Sequence, residues 1–151
     1  MKDTSELEKI LNETRLDEAE GFIEDNTDSM YGSKKDFSKY VRGIFSKKGL
    51  RQQDIFLWAD IPERYGYKLI SGEKKTRQRD VILRICYAAE FSLEETQKAL
   101  RIYGLPQLYA RIPRDAVLMI VFNTRPGSII EVNQFLKNHN MEPLRTSGLQ
   151  D

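Results

Sequence analysis

Hydrophobic residues recur at spacings of three and four along most of the chain, with polar stretches and glycines between the apolar runs. Such spacing places the apolar side chains on one face of a helix. After a polar linker at 26–33, the pattern predicts helices over about 36–47, 52–59, 62–71, 77–89 and 93–103, and two more that open at Pro113 and Ser128. No segment reads convincingly as a strand, so the predicted fold class is all-α.

Local start and stop signals support these helices. Three S-x-x-E capping boxes begin at Ser5, Ser92 and Ser128, and in each the serine and glutamate side chains can satisfy orphan backbone donors. Glycines follow the predicted helices at 49, 72 and 104, where a left-handed residue commonly ends a helix. The chain is therefore expected to comprise an N-terminal helical arm (1–32), a main helical domain (33–104) and a C-terminal helical extension (105–151) on the same core.

Charge is distributed unevenly along the chain, although its net charge is only +1. Residues 1–32 contain ten acidic and three basic residues, a net charge of −7. Residues 33–80 contain thirteen basic and six acidic residues, a net charge of +7. This segregation indicates that the basic block binds something anionic, or binds the acidic arm.

Several kinds of chemistry are not expected from the composition. The single cysteine excludes an internal disulfide, and one cysteine with one histidine cannot make a zinc site of the usual kind. Cys86 lies in an apolar-periodic stretch and is predicted to be a buried, inert thiol. There is no glycine-rich phosphate loop or nucleophile elbow, so we expect neither an enzyme nor a cofactor or metal. No membrane span or secretory signal is recognisable, and a cytoplasmic location is expected.

Short motifs follow one another in a characteristic order: Gly49-Leu50, Arg51-Gln52, the turn at 59–62, the glycine at 72 and the helix opening at 91–96. In these features, residues 36–103 resemble the Cro/repressor-type (XRE, lambda-repressor-like) helix-turn-helix family. A narrower resemblance is to helix-turn-helix proteins of Gram-positive anaerobes with extra C-terminal helices, through residues 65–67, 79–81, 93–97 and 108–116. The resemblance implies a cytoplasmic DNA-binding transcription regulator that places helix 62–71 in the major groove.

Three positions depart from the family pattern. Asp60 stands where the turn usually has glycine, and aspartate tolerates the left-handed conformation better than most residues. Phe56 replaces a small residue, and Gly66 replaces isoleucine or valine. We interpret these two as a volume exchange in which the ring on one helix fills the space left on the other.

The resemblance assigns DNA contacts residue by residue. Base edges would be contacted by Glu63, Arg64, Tyr65 and Lys68. Phosphates would be contacted by Lys47, Lys48, Arg51, Gln52, Lys74, Lys75 and Arg77, and Arg79 could neutralise a further phosphate. The same lysines could also form an ordinary solvated face, and the tyrosines could belong to the core or to an interface.

Two other hypotheses remain open at the level of sequence. The chain could be a protein-interaction or signalling adaptor that keeps the repressor fold without binding DNA, with a protein partner or a second copy of itself. Alternatively, the acidic arm could fold over the basic block and mask it. Residues 114 and 115 could form an ion-pair network with Arg111, and the apolar helix that opens at Pro113 could lie in the core or at a dimer interface.

Overall fold

The structure is a computed structural model, and it describes residues 34–145. All regular secondary structure in this range is helical, which confirms the predicted all-α class. The seven helices are α1 (Lys34–Lys47), α2 (Gln52–Ala59), α3 (Glu63–Ser71), α4 (Arg79–Ala88), α5 (Leu93–Tyr103), α6 (Pro113–Thr124) and α7 (Ile129–Asn138).

The helix ends follow the local signals in the sequence. Ser92 caps α5 because its Oγ accepts from the Glu95 N–H at 3.0 Å while the Glu95 carboxylate accepts from the Ser92 N–H at 2.9 Å. At α7, the Glu131 carboxylate accepts from the Ser128 N–H at 2.8 Å. Gly72 and Gly104 end α3 and α5 with φ of 85° and 91°. The predicted bounds differ from the observed ones by two residues at most, the usual uncertainty of a frayed helix end.

The helices pack around one continuous hydrophobic cluster. α1 packs on α3 and α5, α2 packs on α3 and α4, α4 also contacts α5 and α7, and α6 joins α5 to α7. The buried apolar residues run from Phe37 in α1 to Leu144 beyond α7, so residues after 104 share a core with those before. Burial of this apolar surface is the main favourable term in folding.

Two ion pairs join α6 to α4. Arg79 at the start of α4 binds Asp115 in α6 through two guanidinium nitrogens, at 3.1 and 2.5 Å. Asp80 accepts two hydrogen bonds from Arg114, at 3.1 and 2.9 Å. Such two-pronged arginine–carboxylate pairs fix orientation as well as distance. The predicted network thus includes residues 114 and 115, but their partners are in α4, and Arg111 is exposed.

The apolar helix α6 packs against the core with one face and exposes the other. Leu118, Val121 and Phe122 are buried, whereas Ile120 is 58% exposed. The Ser5 capping box, the N-terminal arm and the linker at 26–33 lie outside the described residues. No helix in the described range is long and apolar enough to cross a membrane.

Candidate nucleic-acid interface

The turn between α2 and α3 contains three residues, 60–62. Asp60 takes the left-handed conformation at φ 54° and ψ 52°, as predicted for the residue that replaces glycine. The N–H of the next residue, Ile61, donates to the Phe56 carbonyl at 3.0 Å, which ends α2 with a hydrogen-bonded loop. Pro62 then caps α3 without leaving an unsatisfied donor.

A ring-to-glycine contact fixes the spacing of α2 and α3. A Cβ atom added to Gly66 would lie only 2.5 Å from Cδ1 of the Phe56 ring. Phe56 is fully buried, and its ring also meets the Tyr67 ring edge-on at a centroid distance of 5.1 Å. The predicted volume exchange between Phe56 and Gly66 is therefore confirmed: the large side chain of α2 occupies the space that a side chain at 66 would need.

The end of α2 is held by a buried arginine that the sequence pattern did not single out. Arg84 of α4 is 2% exposed and donates to the Ala59 carbonyl at 2.7 Å and the Leu144 carbonyl at 2.9 Å. Burial lowers its pKa from the ordinary value, opposed by the nearby carboxylates of Asp60 and Asp80. One side chain therefore joins the turn before α3 to the C-terminal segment, so the C-terminal extension helps to position α3.

The exposed face of α3 contains three of the four residues predicted to contact bases. Glu63, Arg64 and Lys68 lie on this face, as does Tyr67, which the sequence analysis did not select. Tyr65 lies at the edge of this face, half-buried against the core. Tyr67 could have been found from helical spacing alone, since it lies four residues after Glu63.

The loop after α3 presents further cations from an anchored backbone. The buried Thr76 donates its N–H to the Tyr103 hydroxyl at 2.7 Å, and its own Oγ1 accepts from the Gln78 N–H at 3.0 Å. The Lys74 N–H donates to the Lys68 carbonyl at 3.1 Å, which places this loop directly beside the end of α3. The exposed side chains of this loop include Lys74, Lys75 and Arg77.

We call five cations of α3 and its following loop the basic surface. They are Arg64, Lys68, Lys74, Lys75 and Arg77. None of them belongs to an ion pair recorded among residues 36–145. Lys75 instead has its Nζ 5.3 Å from the centre of the Tyr103 ring, and Lys74 has its Nζ 6.0 Å from that of Tyr65. Arg64, Lys74, Lys75 and Arg77 are exposed and Lys68 is partly exposed, so an anion in solution can reach these charges.

The other residues predicted to contact phosphate have different surroundings. Lys47 is exposed at the end of α1. Arg51 binds Asp54 through two nitrogens at 3.0 and 3.3 Å. Gln52 is half-buried, and its Oε1 has no hydrogen-bond partner among the described residues. Arg79 is paired with Asp115 in the contact described above.

Lys48 contacts the start of α5 and is not part of the basic surface. Its Nζ lies 3.2 Å from Oε1 of Glu95 and donates to the Glu90 carbonyl. Burial raises the pKa of Glu95, but hydrogen bonds from the Ser92 N–H and from Lys48 outweigh this, and the pKa is lowered overall. Lys48 thus stabilises the capped end of α5.

Cys86, the single cysteine of the chain, lies in the core. Cys86 is buried, as predicted, and burial raises the pKa of its thiol to about 12, so it stays protonated near neutral pH. No group of three or more His, Cys, Asp or Glu side chains in the described range could hold a metal ion.

Comparison with known proteins identifies no family. No protein-family model matches the chain, and neither a curated protein nor a solved structure matches it significantly. The function is therefore argued below from the geometry and charge of the candidate interface together with the resemblance in its residues.

Proposed function

We propose that this protein is a DNA-binding transcription regulator, in which residues 33–104 form a lambda-repressor-like helix-turn-helix domain. Helix α3 would enter the major groove, whose width accommodates one α-helix. Arg64 would contact guanine in a bidentate manner, Glu63 would accept from cytosine, and Lys68 would contact phosphate or a base edge.

The observation that supports this proposal most strongly is the basic surface itself. Arg64 and Lys68 lie one turn apart on the exposed face of α3, and Lys74, Lys75 and Arg77 follow in the adjoining loop. Elsewhere in the described chain, arginines such as Arg79, Arg84 and Arg114 are bound to carboxylates or carbonyls. Phosphates of duplex DNA are the anions that such a row of unpaired cations attracts.

Arg64 and Lys68 have different expected roles on α3, and Tyr67 lies on the same face. A guanidinium contacting a base edge contributes to discrimination between sequences, whereas a lysine contacting phosphate contributes to affinity for any duplex. Tyr67 lies between Glu63 and Ser71 on the same face, where its hydroxyl can donate to a phosphate or a base. We therefore add Tyr67 to the residues proposed for the interface.

The proposal is tested by selection of duplexes from a random pool with the full chain, followed by fluorescence anisotropy on the selected duplex. Arg64→Ala should weaken binding to that duplex by about 1–3 kcal/mol and relax the preference at one base pair. Lys74→Ala should weaken binding to all duplexes alike and reduce the slope of log K against log salt by about 0.9.

Lys137→Ala supplies the matched control, because Lys137 is also an exposed lysine, near the end of α7. It should leave both the affinity and the salt slope unchanged. If the full chain shows no salt-sensitive binding to any duplex, or if Lys137→Ala has the effect expected of Lys74→Ala, the DNA-binding proposal is wrong.

A second candidate function is a protein-interaction adaptor, and one observation favours it. Leu57 is 75% exposed and Trp58 is 49% exposed on α2, next to Phe56, whose ring contacts Tyr67. Exposed large apolar side chains of this kind are enriched at protein interfaces. Affinity capture with the full chain and with Leu57→Ser/Trp58→Ser would separate the two functions. A partner lost in this variant, from a chain without duplex binding, would support the adaptor.

A further inference from the structure

The N-terminal arm and the basic surface have charges of opposite sign. Residues 1–32 have a net charge of −7. The segment 63–77, which includes the basic surface, contains five basic residues against Glu63 and Glu73. A segment tethered to the same chain meets such a surface at high effective concentration, so the bound state is populated even when the attraction is weak.

The contacts of α1 show where the arm joins the folded helices. Phe37, in the first turn of α1, meets the Tyr103 ring edge-on at a centroid distance of 4.6 Å. The hydroxyl of Tyr103 accepts the Thr76 N–H at 2.7 Å, and Nζ of Lys75 is 5.3 Å from the same ring. Tyr103 therefore bridges the start of α1 and the loop 73–77.

This bridge places the point where the arm joins α1 next to the basic surface. The chain leaves the arm and enters α1 beside the loop that contains Lys74, Lys75 and Arg77. An arm of about 30 residues would span roughly 45 Å as a helix and more if extended, so it can cross the loop and α3. Lys137 is an exposed lysine near the end of α7, a helix that packs chiefly on α4 and α6.

We propose that the acidic arm docks on the basic surface of its own chain and competes with nucleic acid for it. The contact runs between the arm carboxylates and the ammonium groups of Lys74, Lys75 and Lys68. Docking itself is independent of the proposed function, whereas the competition with nucleic acid rests on it. Removal of the arm charge then raises duplex affinity, and duplex binding releases the arm.

Docking is tested on the full chain with a carbodiimide, which joins a carboxylate directly to an amine in contact with it. Cross-linked peptides from the monomeric species are identified by mass spectrometry at low salt and at about 1 M salt, where surface attractions are screened. We expect links from the arm to Lys74 or Lys75 that disappear at high salt. The Lys48–Glu95 ion pair is the internal positive control, and exposed Lys137 is the negative control.

The outcomes distinguish docking from its alternatives. Cross-links from the arm to Lys137 that are as frequent as those to Lys74 and Lys75 would overturn the proposal, because they would show that the arm has no preferred site on the folded helices. Arm links found only in a dimeric species would also overturn it, because the arm would then bind a second copy. Links confined to the arm itself would overturn it as well.

Competition is tested with Glu18→Gln/Glu20→Gln/Glu24→Gln, which removes three arm charges and leaves the described helices unchanged. If the effective concentration is on the order of 1 mM and the local affinity about 0.1 mM, full release raises duplex affinity by about tenfold. The triple variant should approach this increase. Glu90→Gln/Glu94→Gln/Glu142→Gln changes the net charge equally at exposed positions and should have much less effect.

Equal effects of the two triple variants would overturn the competition. Specific arm links to Lys74 or Lys75 in a chain that binds no duplex would overturn the proposed function, while they would support docking. Failure of the two proposals is therefore distinguishable.

Discussion

Basic residues have contrasting surroundings in two parts of this molecule. On α3 and its following loop, five cations are at least partly exposed and belong to no ion pair among the described residues. On α4 and α6, Arg79 and Arg114 are bound to the carboxylates of Asp115 and Asp80, and Arg84 is bound to two carbonyls. The same residue type thus stabilises the fold in one region and is available for binding in the other.

This contrast arises from desolvation. A buried charge has lost its hydration and destabilises the fold unless it is paired, whereas an exposed charge is solvated and contributes little to stability. Substitutions at the buried pairs should therefore change the free energy of unfolding, and substitutions at the basic surface should change binding alone.

The largest expected effect is that of Asp115→Ala. Asp115 is 1% exposed and accepts hydrogen bonds from Arg79 and from the Tyr109 N–H at 3.0 Å. Its removal leaves Arg79 without its carboxylate and should lower the free energy of unfolding by about 3 kcal/mol in urea denaturation. Asp54→Ala, which breaks the exposed pair with Arg51, is the control and should cost less than about 1 kcal/mol. Equal costs would contradict the contrast between the two regions.

Gly66→Ala should have the next largest effect. The added methyl collides with the Phe56 ring, and this should outweigh the gain in helix propensity and lower the free energy of unfolding by about 2 kcal/mol. Gly43 in α1 has nothing within 4 Å of an added Cβ, so Gly43→Ala should instead stabilise by roughly 0.5–1 kcal/mol. A stabilised Gly66→Ala protein would show that the two helices are not in tight contact.

Substitution of Glu95 at the capped end of α5 should lower the free energy of unfolding by about 1 kcal/mol, and the loss should depend on pH. Because the pKa of Glu95 is lowered in the folded protein, its contribution is present above its ordinary pKa of about 4.5. That contribution is lost as the pH falls through the folded-state pKa. Glu95→Gln should therefore destabilise at pH 7 and much less at pH 3, as measured by urea denaturation. An equal cost at both pH values would assign the effect to packing.

The smallest effect on stability is expected at the basic surface. Arg64→Ala/Lys68→Ala should change the free energy of unfolding by no more than about 0.5 kcal/mol, because Arg64 is exposed, Lys68 is partly exposed, and neither belongs to an ion pair among the described residues. Thermal unfolding of the double variant checks this before its duplex binding is interpreted. A loss similar to that of Asp115→Ala would show that the exposed face of α3 belongs to the structural network.

Much of the helical architecture could be predicted from the sequence because its signals are local. The capping serine at 92, the glycines at 72 and 104 and the left-handed aspartate at 60 act within a few residues of each helix end. The Phe56–Gly66 contact was also predictable, since it joins two neighbouring helices through a short turn. Three of the four residues predicted to contact bases lie on the exposed face of α3 for the same reason: helical spacing alone decides which side they share.

The long-range charge pairs could not be predicted in the same way. Arg79 and Asp115 are 36 residues apart, and Arg84 and Leu144 are 60 residues apart. A one-dimensional pattern shows that Arg79 and Lys48 are basic, but not which carboxylate lies beside each after folding. Both residues match the pattern predicted to contact phosphate, but in the folded chain they pair with carboxylates, unlike Lys74 and Lys75.

The sequence by itself determined the helices, their ends, the left-handed turn residue and the segregation of acidic and basic residues. Each depends on backbone preferences and periodicity within a few positions. Only the tertiary structure decided which cations are bound internally and which form the basic surface. Desolvation and pairing depend on what lies next to a side chain in space, and packing brings residues from distant helices together there.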